Sequence, residues 1–198
     1  REQQFRRVQL RLKRGDRVLD YSAGGGYYTQ IVADAVGPGG LVVRWNPPAF
    51  AARPAVSAAL ANISRRSPNA RFQSTSSTAL SFPLDGFDVV LLHLAYHDVY
   101  WESADFGFSR TDPDRVVRAL FRASRPGGVV AVIDHVANPG RETRAEVEAS
   151  HRIDPAVVRA GQAARGVEQP HGDPRRGGDD GDARDPPQGD AGARGGPR

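Results

Sequence analysis

The sequence predicts an α/β fold, a mostly parallel β-sheet with helices on both faces. Three observations carry this expectation. Short apolar runs alternate with amphipathic stretches from Arg14 to Asp134. The run FDVVLLHLAY, residues 87–96, is apolar almost throughout, as suits a central strand of a parallel sheet covered on both sides. Clusters of glycine and proline, GPGG at 37–40 and RPGG at 125–128, stand where a helix must give way to a strand.

The elements follow in order. Residues 3–12, QQFRRVQLRL, place Phe5, Val8 and Leu12 on one helical face, with arginines on the solvated remainder. The RGD at 14–16 breaks this helix before a buried strand, Arg17–Tyr21. GYYTQIVADAV, 26–36, reads as a helix with an apolar stripe of Tyr28, Ile31, Val32, Ala35 and Val36, stopped by GPGG. LVVRW, 41–45, is a second strand, ended by Asn46-Pro47-Pro48 because proline cannot continue a central ladder. A helix runs from Pro54 to about residue 65, and ARFQS, 70–74, is a third strand. The fourth strand is 87–96. In the helix that follows, Asp112 stands at the cap and Pro113 in the first turn, with Val116, Val117, Leu120 and Phe121 facing inward. VVAVID, 129–134, is a fifth strand, and Asp154-Pro155 starts a further helix.

With 198 residues the chain is long enough for one domain, placed at residues 1–159. From Ala160 the composition changes: of the last 39 residues, 33 are Gly, Ala, Arg, Pro or Asp, too few apolar groups to offset the entropy of ordering. Residues 160–198 are therefore expected to be a disordered tail. It reads either as a natural linker or as the product of a frame shift in a GC-rich gene; the second reading leaves the last strands of the sheet missing. Six arginines there face six aspartates and one glutamate, a balance that argues against a nucleic-acid partner. The overall charge of +4 permits an acidic partner without requiring one.

The absence of cysteine excludes a disulfide framework and thiolate metal sites. Five histidines scattered without ligand spacing give no expectation of a metal. No apolar run approaches the roughly 20 residues of a membrane span, and no signal peptide is visible. The expectation is a cytoplasmic protein. The chain starts at Arg1 without methionine, so export through a lost leader is the alternative.

The stretch VLDYSAGGGYYT, Val18–Thr29, puts a glycine-rich turn at the carboxyl end of a buried strand, where ligands bind in such sheets. A dinucleotide fingerprint requires G-x-G-x-x-G; counted from Gly24, the last position is Thr29. Together with GPGGLVV, FDVVLLHLAYHD and RPGGVVAVID, the stretch resembles class I S-adenosylmethionine-dependent methyltransferases, and most closely a bacterial group with GAGGGYYT, NPP and LAYHD motifs. The resemblance spans about Arg14–Asp134. It implies a Rossmann-like fold, S-adenosylmethionine as cofactor, and methyl transfer to a small-molecule acceptor.

The resemblance places Asp20, Ser22, Ala23, Gly24, Gly26, Tyr28 and Thr29 around the cofactor, with Asn46 and Ser76 at the ends of the next two strands. Glycines at 24 and 26 allow close backbone approach. Ser22 stands where the pattern has its first glycine, and fits if its backbone angles are ordinary. Asn46 replaces an acidic residue that grips ribose hydroxyls, and Ser76 or Ser77 replaces one near the adenine. Asn46-Pro47-Pro48 lies after the second strand, not the fourth, so it reads as cofactor-side or structural and not as an amine-orienting motif. His97 and Asp98 are the catalytic candidates, since they end the fourth strand where acceptors bind; the bland alternative is a structural histidine beside a capping aspartate. Tyr96, Tyr100 and Trp101, with Phe106 and Phe108, form either an acceptor pocket or a lid packed on the core. His135 is a weaker rim candidate, and His151 and Arg152 lie near the same face. Two other functions compete: a nicotinamide-dependent oxidoreductase, and a non-catalytic module with a degraded cofactor site.

Overall fold

The computed structural model describes residues 10–163. Among these residues, five parallel strands form one sheet: β1 (Arg17–Tyr21), β2 (Leu41–Trp45), β3 (Ala70–Gln73), β4 (Phe87–His93) and β5 (Ser124–Ile133). Their spatial order is β3-β2-β1-β4-β5. The chain runs outward from β1 through β2 to β3, then returns to lay β4 on the other side of β1. The reversal opens a crevice at the carboxyl ends of β1 and β4, the usual ligand position in doubly wound sheets.

The helices that cover the sheet are α1 (Tyr27–Val36), α2 (Pro48–Ala51), α3 (Pro54–Arg66), α4 (Pro113–Ala123), α5 (Thr143–Ser150) and α6 (Pro155–Ala163). Alternate strand residues feed two cores. Val18, Val42, Val89 and Leu91 pack with Val32, Val36 and Ile63 beneath α1 and α3. Leu19, Tyr21, Trp45, Val90 and Leu92 pack with Val116, Val117, Leu120, Val147 and Ile153 beneath α4, α5 and α6. This two-sided burial is why the strands read as continuous apolar runs. Asp112 accepts from the Asp114 N–H and Pro113 occupies the first turn of α4, as the sequence predicts.

Four expectations change. β4 stops at His93, because Leu94 adopts a left-handed φ of 53° and residues 97–99 form a 3-10 turn. β5 begins at Ser124, so Arg125-Pro126-Gly127-Gly128 enters the strand instead of only closing α4. Of the predicted N-terminal helix, residues 10–12 are not helical and 3–9 lie outside the described residues. Residues 160–163, assigned to the tail, are the end of α6; the rest of that segment lies outside the described residues.

Leu92 is fully buried on the α4 side. Leu92→Ala removes that packing and should lower the unfolding free energy by about 2–5 kcal/mol in urea denaturation, with the m-value unchanged.

Candidate active site

The turn from β1 into α1 requires left-handed φ at Ser22 (55°), Gly24 (58°) and Gly26 (82°). Glycine adopts this freely; for serine it costs about 1–2 kcal/mol. The backbone angles of Ser22 are therefore not the ordinary ones that its fit in place of glycine was expected to need. A hydrogen bond offsets the strain: Ser22 Oγ donates to Asp98 Oδ2 at 2.9 Å. Ala23 N–H donates to the Trp45 carbonyl at 3.1 Å, tying the turn to β2.

Asn46 fixes the turn from the same side. Gly24 N–H donates to Asn46 Oδ1 at 3.0 Å, and Asn46 Nδ2 donates to the Gly24 carbonyl at 2.9 Å. The side chain is fully buried, so its amide is committed to the loop backbone. A Cβ on Gly24 would meet nothing within 4 Å, so the loop faces open space there. A Cβ on Gly26 would strike Ile63 Cδ1, so Gly26 is needed for packing as well as for the turn.

Asp20 is buried at the end of β1 and accepts from Thr29 Oγ1 at 2.6 Å. Burial pushes its carboxyl up to about 6, against the opposing effects of Thr29 and the Arg44 charge. Thr29 is itself fully buried and supports Asp20 from α1. Tyr28 stacks on His93, with ring centroids 3.6 Å apart. Ser76 caps the short turn after β3, where its Oγ accepts from the Thr78 N–H at 3.3 Å.

At the end of β4, Leu94 N–H donates to the Ile133 carbonyl at 2.7 Å, which holds its left-handed conformation against β5. The turn that follows brings His97 onto Asp134, at the end of β5. Asp134 accepts from the His97 backbone N–H at 3.0 Å, and its two carboxylate oxygens lie 2.9 and 3.1 Å from His97 Nδ1. His97 Nε2 lies 3.4 Å from Asp98 Oδ1. Burial pulls the His97 pKa down, but the bond to Asp134 and the charges of Asp98 and Asp134 outweigh it, leaving it above the ordinary value. Burial raises Asp98, and His97 and Ser22 offset that only in part. Asp134 ends below the usual range, since His97 and two backbone N–H groups overcome its burial.

His151 joins this group. It caps α5 in a left-handed conformation, and its ring stands edge-on to His97 and Trp101, with centroids 5.4 and 4.7 Å away. A parallel bridge between Val136 and Ile153 places it there. One ligand atom each from His97, Asp98 and His151 lies within 4.8 Å of the others. The histidines that look scattered in sequence thus partly converge.

The aromatic residues divide. Tyr96 is turned into the core beside Gly161 of α6, as in the second alternative for these aromatics, a lid packed on the core. Tyr100 packs partly against the same core, and its carbonyl accepts from Arg144. Trp101 stays half-buried on the wall, with Phe106 and Phe108 each 5.3 Å away and its Nε1 donating to Glu148. Phe106 meets Phe50 of α2 and lies under Arg53, so the segments after β2 and β4 touch. His135 is exposed, with its N–H bonded to Asp134, and Arg152 donates to the Val136 carbonyl. Sequence reasoning does not reach Asp134 or His93 as site residues; their position at strand ends facing the crevice is the signal that could have found them.

Residues 19–132 match the family described as a methyltransferase domain. The chain belongs to this family. The methyltransferase domain is 25% identical over 130 residues to a ubiquinone/menaquinone biosynthesis C-methyltransferase, UbiE, of Pasteurella multocida. That match covers 62% of this chain and 41% of the relative, so the chain spans less than half the length of that protein. A SAM-dependent methyltransferase from Aquifex aeolicus has the same fold, with a TM-score of 0.59 and 18% identity over 79% of this chain and 74% of that one. The YcgJ protein of Bacillus subtilis gives 0.55 and 22% over 77% and 62%. Among the described residues, no helix is long and apolar enough to cross a membrane.

Two outcomes test the loop. Asn46→Ala removes both bonds to Gly24 and should lower stability by about 1–3 kcal/mol in urea unfolding. Asp20 has a folded pKa near 6, above its unfolded value, so the folded state binds its proton more tightly. Its contribution to stability is therefore present in acid and lost as pH rises from about 4 through 6. Urea titrations across this window should show a flatter pH dependence for Asp20→Asn than for the unaltered chain.

Proposed function

We propose that this chain is a methyltransferase that binds S-adenosylmethionine over the turn 22–26 and transfers its methyl group to a small-molecule acceptor held at the ends of β4 and β5. The observation that carries this reading is the open space at Gly24, framed by a rigid turn, in a chain of the methyltransferase domain family. When bound, S-adenosylmethionine supplies an electrophilic methyl group on a sulfonium.

The residues present fit that group. Gly24 and Gly25 leave backbone accessible, and Asn46 and Ser22 hold the turn in one shape before ligand arrives. Asp20 lies behind the turn and, when ionised, favours a positive ligand. Ala23 in the turn, Tyr28 at the start of α1 and Ser76 after β3 are assigned to the same cofactor. Asn46 acts through Gly24 and not by gripping ribose, because both polar atoms of its amide are engaged. His97 and Asp98 form the polar wall on the acceptor side, with Trp101 beside them. We take them as the catalytic pair, in contact with the acceptor's reacting group. Methyl transfer depends chiefly on positioning, and a wall fixed by Asp134 and Ser22 provides it.

Calorimetric titration with S-adenosylmethionine, S-adenosylhomocysteine and NAD tests the reading. Micromolar affinity for the first two and none for NAD is expected; absence of binding to the first two would overturn it. Gly24→Ala fills the open space with a methyl group. It should weaken S-adenosylmethionine by at least about tenfold while costing only about 1–2 kcal/mol of stability.

A further inference from the structure

The His97–Asp98–His151 group has a feature that positioning an acceptor does not require: one possible ligand atom of each side chain lies within 4.8 Å of the others. His97 Nδ1 is bound to Asp134, which leaves Nε2 directed at Asp98. Asp98 Oδ2 is bound to Ser22, which leaves Oδ1 directed at His97. In a tetrahedral site with metal–ligand bonds near 2.1 Å, neighbouring ligand atoms stand about 3.4 Å apart. The His97 Nε2–Asp98 Oδ1 separation is 3.4 Å. A ring nitrogen of His151 lies within 4.8 Å of one such atom on each of His97 and Asp98, and its ring is exposed, resting edge-on against Trp101 and His97. A closing of up to about 1.4 Å brings it to the separation of a tetrahedral site.

The surrounding bonds are those a bound ion needs. A ligating histidine donates its other ring N–H to a carboxylate, which sets the tautomer and ring plane; Asp134 does this for His97. A ligating carboxylate is itself hydrogen-bonded, as Asp98 is by Ser22. Two imidazoles and one carboxylate are an N/O set suited to a divalent first-row transition ion of the zinc or cobalt kind, and they leave a fourth position open.

We infer that His97, Asp98 and His151 bind one divalent transition-metal ion at the acceptor edge, with Asp134 and Ser22 as positioning residues for the ligands. Binding releases whatever proton His97 Nε2 and Asp98 carry between them. The ion's role in the reaction rests on the proposed function: an oxygen of the acceptor would occupy the open position and become more acidic there. The binding itself does not depend on that reading.

The 198-residue chain, stripped with chelator and dialysed, is titrated with Co²⁺ under visible absorption. One equivalent should develop the intense bands of a four-coordinate N/O site, and Zn²⁺ should abolish them. His151→Asn keeps a residue that tolerates the left-handed cap, and should weaken Co²⁺ by at least about 50-fold. Asp134→Asn should weaken it by about 10–100-fold. His135→Ala and His171→Ala should leave it unchanged. Affinity for S-adenosylmethionine, measured alone, should stay within about twofold in His151→Asn, which shows the fold intact. Millimolar binding, a six-coordinate spectrum, or equal affinity in His151→Asn would overturn the metal site. Loss of S-adenosylmethionine binding with Co²⁺ binding intact would instead overturn the proposed function.

Discussion

One chain of hydrogen bonds and charges, Ser22–Asp98–His97–Asp134, ties together the carboxyl ends of β1, β4 and β5. Its members are largely withdrawn from water, so each must satisfy another: an unpaired carboxylate there would cost several kcal/mol. His97 sits between two acids and keeps both compatible with burial. Ser22 completes Asp98 and in return is held in a conformation it would not otherwise favour. Among the described residues, three of the four non-glycine positions with left-handed φ, Ser22, Leu94 and His151, border this array. Each such residue is strained, and each persists because neighbouring elements fix it: Asp98 for Ser22, β5 for Leu94, the end of α5 for His151.

The glycine turn is held from a second side by β2. Asn46 accepts from and donates to the same residue, Gly24, so the turn cannot pivot without breaking two bonds. An acidic side chain at that position could accept from Gly24 N–H but could not donate to its carbonyl. The amide therefore does something a carboxylate cannot. At the end of β2, Asn46 thus stiffens the turn. Ser22 works in the same direction from β4. A turn stiffened on both flanks loses less conformational entropy when a ligand arrives.

Most of the sheet was legible because buried parallel strands are written as unbroken apolar runs and their helices as capped amphipathic ones. Legibility failed where that rule gives no information. Leu94-Ala95-Tyr96 continues the apolar run of β4, yet Leu94 turns left-handed and the strand ends; the composition alone does not show this. Tyr96 has the same composition signal as Trp101, but the turn at 97–99 sends one ring into the core and keeps the other on the wall. Helix α5 starts at an unusual cap, Glu142, whose carboxylate accepts from the N–H groups of Arg144 and Ala145. His151 is held near His97 by the bridge between Val136 and Ile153, by Val147 in the core and by the Glu148–Trp101 bond. No local pattern encodes a contact that such long-range interactions decide.

The sign of the charge at this edge separates the candidate ligands. Asp20 lies one residue before the end of β1, Asp98 within the turn after β4 and Asp134 directly after β5, at the carboxyl ends of the strands. Arg44, whose charge acts on Asp20, is buried and bonded to Ser64. Ionised carboxylates at this edge would repel a pyrophosphate brought to it. A sulfonium or a divalent ion meets the opposite field. Burial raises the proton affinities of Asp20 and Asp98, so a cation brought beside them would favour their ionised forms.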